Sequence, residues 1–170
     1  MRKALIALMA ALFVLAIGTQ GALAASPHFV NGPNYTVTTT ELTASGKAAG
    51  LGNLPTQAFL TADQIDVYFH CVNKGGNFAP GHPASVSPAA GPVENITPHN
   101  GQITFSVSLA APVPSASDEC PNGNWRVIVD EVDYLGVVLH IQQNGQDILT
   151  DGPNDFTTCA AGFGECVFTG

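Results

Sequence analysis

Positive charge is the scarcest feature of this chain. The sequence holds five Lys and Arg against 13 Asp and Glu, for a formal net charge of −8 at pH 7. Arg2 and Lys3 lie at the very start, which leaves Lys47, Lys74 and Arg126 for the remainder. Nucleic acids and anionic lipid surfaces repel a protein with this balance, so we expect neither as a partner.

Long hydrophobic runs are also rare, and the most extended one lies near the start. Residues 4–17 are apolar, follow Arg2-Lys3, and lead to Ala22-Leu23-Ala24. A basic start, a short apolar run and a small-residue site are typical of a secretory signal peptide, which we place at residues 1–24. The run is too short to span a membrane, which takes roughly 20 apolar residues. We therefore expect no membrane span, and a secreted, extracellular protein whose residues 25–170 form one domain.

The sequence lacks the common catalytic and metal motifs. It contains no GxSxG nucleophile elbow, no HExxH helix motif and no CxxC pair of the kind that holds structural zinc. These absences favour a protein that is not an enzyme.

Helical periodicity is absent beyond the signal peptide, and strand periodicity replaces it. In residues 63–72, Ile65, Val67, Phe69 and Cys71 alternate with polar residues, which predicts a central strand with one buried face. Asn-Gly pairs at 100–101 and 144–145 predict hairpins. Further strands are predicted at 34–43, 47–51, 93–97, 102–109, 125–133, 137–143 and 146–149, with turns at Gly46 and 134–136 and long loops at 73–90 and 110–124. The pattern indicates an all-β, Ig-like antiparallel β-sandwich of seven or eight strands.

Four cysteines indicate two disulfides in an exported protein. Three pairings are possible, and we favour Cys71–Cys120 and Cys159–Cys166. Cys71 ends the central strand and Cys120 precedes another strand, so antiparallel pairing would place both at one end of the sandwich, where the two long loops meet. The second bridge would close a short glycine-containing loop within a tail, residues 144–170, that packs on the sandwich.

Three segments carry a resemblance. Ala-Ser-Gly-Lys-Ala-Ala-Gly-Leu-Gly, Cys-Val-Asn-Lys-Gly-Gly and Cys-Pro-Asn-Gly-Asn-Trp, between about residues 36 and 143, are similar to segments of uncharacterised small secreted bacterial β-sandwich proteins. The resemblance implies a secreted sandwich and implies no activity.

Two groups of side chains are candidates for metal binding. If strands 63–72, 125–133 and 137–143 are neighbours, His70 and His140 flank Asp130, and these side chains ligate transition metals. Two strand spacings would separate the imidazoles by about 10 Å, which is too far for one ion, and a covered outer face is the alternative. The second group, Asp147, Asp151, Asn154 and Asp155, has oxygens that calcium prefers, although Asp and Asn are also ordinary turn residues. Calcium is thus a possible cofactor, and we otherwise expect none.

Loop residues are the candidates for recognition. Asn77, Phe78 and His82 lie in the predicted loop at 73–90, and an exposed aromatic ring among polar residues can stack on a sugar. A passive loop is the alternative. We predict a secreted, non-enzymatic structural or binding protein whose partner is an extracellular protein or glycan. The alternative is a calcium- or metal-dependent extracellular hydrolase, or a carbohydrate-binding module.

Overall fold

The computed structural model describes residues 26–159. The predicted signal peptide and Cys166 lie outside the described residues. Within them the chain is almost entirely antiparallel strand. The elements are β1 His28–Val37, β2 Glu41–Ala49, β3 Thr56–Ala62, β4 Gln64–Asn73, β5 Phe78–Pro80, β6 Ala84–Val86, β7 Ala89–Ala90, β8 Glu94–Ile96, β9 Gln102–Ala110, a single helical turn α1 Ala116–Glu119, β10 Trp125–Gln143 and β11 Gln146–Cys159.

The strands form two sheets. The small sheet has the order β1-β2-β9. In the large sheet, β10 pairs with β11 along one edge and with β3 and β4 along the other, while β5 and β6 pair with β4, and β7 and β8 with β3. The first half of the predicted tail, from Gln146 to Cys159, is therefore a full strand of the large sheet.

β3 and β4 act as one long strand against β10. β3 pairs with residues 138–142 of β10 and β4 with residues 125–135, in nearly constant register. The break falls at Asp63, whose N–H donates to the Leu135 carbonyl at 2.9 Å. Gly136 lies opposite with a φ of +63°, and a Cβ there would meet the Asp63 carboxylate. Glycine is thus needed where this long ribbon bends.

The main core lies between the two sheets. The predicted inward residues of β9, namely Ile103, Phe105, Val107 and Leu109, are all buried in it, as are Ile65 and Val67 of β4. The other predicted inward residues of β4, Phe69 and Cys71, are also buried but belong to a second cluster. Val132, Tyr134, Val137, Leu139 and Ile141 of β10 complete this core from the large sheet. The alternation confirms an all-β, sandwich-like arrangement in which period-two burial specifies the faces.

A second, smaller cluster lies at one end of the large sheet. It consists of Phe69, Cys71 and Cys120, with Trp125 and Val127 packed against it. The predicted Cys71–Cys120 disulfide is confirmed, with Cα atoms 5.8 Å apart. It fastens the irregular segment 111–124 to the end of β4. Cys159 lies in β11, and its predicted partner Cys166 is not among the described residues.

Several predicted turns and loops were wrong. The turn predicted at residues 134–136 does not reverse the chain, because Gly136 introduces a register shift inside β10. β2 runs straight through Gly46, and the chain turns instead near Thr38, whose hydroxyl accepts from the Glu41 N–H. Much of the loop predicted at residues 73–90 forms the short edge strands β5, β6 and β7.

The two Asn-Gly pairs have different outcomes. Asn144-Gly145 joins β10 and β11 in the predicted hairpin, with positive φ at both residues. Asn100-Gly101 also forms a tight turn, closed by pairing of His99 with Gln102. However, β8 before it belongs to the large sheet and β9 after it to the small sheet, so the predicted hairpin does not continue. No helix among residues 26–159 combines the length and hydrophobicity needed to cross a membrane.

Candidate functional site

Two asparagine turns lie side by side at the disulfide end of the large sheet. After β4, the Asn73 side chain accepts hydrogen bonds from the backbone N–H groups of Gly75 and Asn77 at 2.9 and 3.0 Å. Before β10, the Asn122 side chain accepts from the Asn124 N–H at 3.1 Å. Asn side chains stabilise turns in this way. Because Asn73 pairs with the first residue of β10, both turns lie at the same end of the sheet.

The two turns enclose a cleft of about 620 Å³. Its lining residues are Val72, Asn73, Lys74, Gly76, Gly123, Asn124, Trp125 and Arg126. A smaller adjoining pocket of about 290 Å³ adds Gly75 and Asn122. Neighbouring strand residues point to opposite faces, so a cleft lined by both Trp125 and Arg126 wraps around the open end of β10. We call these two spaces together the end cleft.

The end cleft is cationic in an acidic protein. Two of the three cations that follow the predicted signal peptide, Lys74 and Arg126, line it, and among residues 26–159 no acidic residue does. In the described part of the chain the ion pairs are both His–Asp pairs, so neither Lys74 nor Arg126 is neutralised by a carboxylate. The surrounding negative charge makes this local positive potential a selective feature of the surface.

Trp125 lines both spaces and is the only tryptophan of the chain. It is partly buried and packs against the cluster that contains the Cys71–Cys120 disulfide. The disulfide therefore supports an aromatic side chain beside the amides of Asn73 and Asn124. Aromatic rings, amides and a few charges are the groups that orient small ligands in protein sites.

The predicted loop candidates lie near the end cleft but do not line it. Asn77 belongs to the asparagine turn through its backbone N–H. Phe78 is 73% exposed, and its ring lies on His70 with centroids 5.2 Å apart. His82 is exposed farther along the same edge. The predicted meeting of the two loops does occur, through residues 73–76 and 122–126.

Sequence reasoning missed the residues that line the cleft from β10 and its preceding turn. Asn124, Trp125 and Arg126 attracted no prediction as ligands, and neither did Lys74. A signal was available, because Lys74 and Arg126 each lie close to one cysteine of the favoured disulfide in a chain nearly devoid of cations.

The two candidate histidines belong to separate pairs. His70 Nδ1 lies 2.9 Å from both Asp130 oxygens, and His140 Nδ1 lies 3.0 Å from Asp147 Oδ1. The assumption that residues 125–133 and 137–143 form neighbouring strands was wrong, because both belong to β10. His70 pairs with Ile128, so His140 lies twelve residues along the strand, on the order of 40 Å away if fully extended.

The three candidate calcium carboxylates, Asp147, Asp151 and Asp155, each have a hydrogen-bond partner within the protein, and Asn154 is itself a donor to one of them. Asp151 Oδ2 accepts from the Tyr35 hydroxyl at 2.7 Å and from Asn154 Nδ2 at 3.1 Å, and Asp155 Oδ1 accepts from the Gly136 N–H at 2.8 Å. Burial, together with Asp151, raises the pKa of Tyr35. Across residues 26–159, no three His, Cys, Asp or Glu side chains are placed to share a metal ion.

One hydrogen-bond chain has the connectivity of a catalytic triad. Thr61 Oγ1 lies 3.0 Å from His140 Nε2, and His140 Nδ1 lies 3.0 Å from Asp147. Phe59 stacks on the His140 ring with centroids 4.8 Å apart. A hydroxyl, an imidazole and an orienting carboxylate in this order can act as nucleophile and base. These hydrogen-bonded side chains lie on neighbouring strands of the large sheet, away from the end cleft.

Comparisons of the chain with protein-family models, with curated proteins and with solved structures found no match. The function is therefore argued from the residues of this chain.

Proposed function

We propose that this protein is an exported, non-enzymatic binding protein of the extracellular space, and that it holds its ligand in the end cleft. The observation that carries the proposal is the composition of the cleft. It combines the only tryptophan with two of the three cations that follow the predicted signal peptide and, among the described residues, no acidic residue, in a chain whose full sequence has a net charge of −8. The N-terminal sequence pattern supports export.

The ligand class that we propose is a saccharide. A volume of about 620 Å³ is within the range of small-ligand sites. Trp125 offers an aromatic side chain for stacking, and the Asn124 amide can donate to and accept from hydroxyl groups. Asn73 Oδ1 already accepts from the N–H groups of Gly75 and Asn77 and from Asn77 Nδ2, so Asn73 offers its Nδ2 as a donor. The overall negative charge disfavours nucleic acid, the other common polymer that stacks on aromatic rings.

A glycan array followed by titration of tryptophan fluorescence tests this function. Because Trp125 is the only tryptophan, its emission reports on the end cleft directly. We expect Trp125→Ala, which has no tryptophan and is therefore measured by calorimetry, to weaken binding about tenfold or more, since stacking on an aromatic ring contributes roughly 1–3 kcal/mol. Phe78→Ala, which removes an aromatic ring outside the cleft, should leave the affinity within about twofold. An array without any bound saccharide, or a loss confined to Phe78→Ala, would contradict the proposal.

We also propose that the sandwich is immunoglobulin-like. The neighbours of successive strands support this: β9 lies beside β2, β10 beside β3 and β4, and β11 beside β10. In immunoglobulin domains strands E, F and G lie beside B, C and F in the same way. A second disulfide, Cys159–Cys166, belongs to the same proposal. Intact mass measured with and without reduction should differ by four hydrogen atoms if both bridges form.

An extracellular hydrolase is the second candidate, favoured by the Thr61–His140–Asp147 chain. Thr61 would attack an ester carbonyl, His140 would accept its proton and pass it to the leaving alcohol, and water would release the acyl group. If this function is correct, ester hydrolysis is abolished by Thr61→Val and by His140→Gln. A metal-dependent hydrolase would instead lose activity in EDTA. We propose that neither activity is present and that the domain binds its ligand without a cofactor.

A further inference from the structure

We propose that the ligand of the end cleft is an acidic saccharide, whose carboxylate pairs with Arg126 and Lys74. This inference rests on the proposed saccharide-binding function and adds the charge of the ligand. It depends on where the protein has placed its few cations and on what surrounds them.

The distribution of charge is the first argument. A strongly acidic surface repels anions, so an anionic ligand needs a local region of opposite sign to approach and stay bound. Beyond the predicted signal peptide, Lys47 is the only cation outside the end cleft. Lys74 and Arg126 come from segments far apart in the sequence, and the pairing of β4 with β10 brings them together, since Arg126 lies opposite Val72. The sheet register thus concentrates the positive charge at one place.

The availability of these cations is the second argument. Both residues are exposed, and neither has a carboxylate partner in the described part of the chain. Lys47 likewise has no carboxylate partner among the described residues, so what distinguishes Lys74 and Arg126 is that they line one cleft together. The planar guanidinium of Arg126 can donate two parallel hydrogen bonds to a carboxylate, whereas Lys74 supplies a mobile point charge.

The neutral part of the site is the third argument. Trp125, Asn73 and Asn124 line the same cleft, and these groups suit the ring and hydroxyls of a sugar rather than an inorganic anion. A carboxylate carried on a sugar ring, as in a uronic acid, satisfies both halves of the lining. A sulfated sugar has a related charge but a tetrahedral anion, and it is a separate arm of the test.

The test compares three oligosaccharides of equal length. The first is a uronate oligosaccharide, the second is its carboxyl-reduced neutral counterpart, and the third is an oligosaccharide that carries sulfate groups and no carboxylate. Binding is followed by tryptophan fluorescence and by calorimetry on the mature protein. We expect the uronate to bind at least about tenfold more tightly than the neutral counterpart, and its affinity to fall as salt screens the charges. Arg126→Gln should weaken uronate binding about tenfold and weaken binding of the neutral counterpart much less, so that the preference for the uronate is lost. Lys47→Gln, which removes the cation outside the cleft, should leave both within about twofold.

Each outcome decides between the two proposals. Equal affinity for the uronate and the neutral sugar, with no effect of Arg126→Gln, overturns the acidic ligand but leaves the saccharide-binding function intact. Binding of the sulfated sugar alone overturns the proposal that the anionic group of the ligand is a carboxylate. Absence of binding to all three and to the glycan array overturns both proposals. An equal loss of uronate affinity in Lys47→Gln and Arg126→Gln would show long-range charge attraction rather than a site. Arg126 is exposed, so unchanged melting temperatures of the variants verify that folding is intact.

Discussion

At the residue scale, the buried hydroxyl of Tyr134 makes the stability of the fold depend on pH in the alkaline range. Tyr134 is among the largest fully buried side chains, and burial, with a smaller contribution from Glu41, raises its pKa to about 12. The folded protein therefore disfavours the phenolate. The contribution of the neutral Tyr134 hydroxyl to the free energy of unfolding is fully present below pH 10.0, the pKa of tyrosine in the unfolded chain. It is lost as the pH rises through the pKa of Tyr134 in the folded protein. A shift of this size corresponds to roughly 2–3 kcal/mol.

We predict that stability falls between pH 10 and about 12, with phenolate absorbance and loss of the circular dichroism of the fold appearing together. Tyr134→Phe is the matched variant, because it keeps the ring and removes only a weak hydroxyl contact to the Thr38 carbonyl at 3.4 Å. Its stability should decline less steeply over the same range. Ionisation of all three tyrosines near their ordinary pKa in a still-folded protein would contradict the prediction.

The sequence predicts the burial of individual side chains but not which cations come together. Alternation identified the buried residues of β4 and β9 correctly, because burial on one sheet face depends only on a period of two. The cleft residues Lys74 and Arg126 could not be paired in this way. Their proximity depends on the register between β4 and β10, and alternation leaves register open by any even number of residues.

At the element scale, the longest strands escaped prediction because they bend. A Tyr-Leu-Gly sequence between two apolar runs is typical of a turn, and at Gly136 it instead produces a bulge within β10. Asp63, which lies opposite between β3 and β4, donates its N–H to the Leu135 carbonyl, and β3 and β4 pair with β10 on the two sides of the bulge. Sequence patterns describe a segment by itself, whereas here the partner strand determines its shape.

Gly91 gives a prediction for the contact between the two sheets. It lies between β7 and β8, and its N–H donates to the Leu60 carbonyl at 2.9 Å. A Cβ at this position would collide with the Ser108 carbonyl of β9. Because that obstacle is backbone, the sheets must shift to accept a methyl group. We predict that Gly91→Ala lowers the free energy of unfolding by about 1–3 kcal/mol, as overpacking usually does, measured by urea denaturation.

Gly123→Ala is the control for this substitution. No atom lies within 4 Å of an ideal Cβ built on Gly123, and its φ is not positive. The substitution should therefore change the free energy of unfolding by less than about 0.5 kcal/mol. Equal effects of the two substitutions would mean that the contact between Gly91 and β9 does not constrain the packing of the sheets.

At the scale of the whole molecule, the domain has two hydrophobic clusters with different supports. The main core is held by side chains of both sheets, from Leu42 of β2 to Ile141 of β10. The smaller cluster has few apolar residues and contains the Cys71–Cys120 disulfide, which closes a separation of 49 residues. In the chain-entropy model such a bridge contributes about 4 kcal/mol. The covalent link therefore substitutes for apolar burial at the end of the molecule that carries the cleft.

Removal of the Cys71–Cys120 disulfide should disturb the end cleft more than the main core. We predict that Cys71→Ala/Cys120→Ala lowers the free energy of unfolding by about 4 kcal/mol. In conditions where the variant remains folded, the main core and its circular dichroism should persist, since that core includes neither cysteine. Trp125, which loses the support of the bridged segment, should show red-shifted emission, and saccharide affinity should fall more than tenfold, roughly the loss caused by removing one aromatic contact. Native emission and affinity in a folded variant would show that the end cleft forms without the disulfide, and that the site depends on the pairing of β4 with β10 alone.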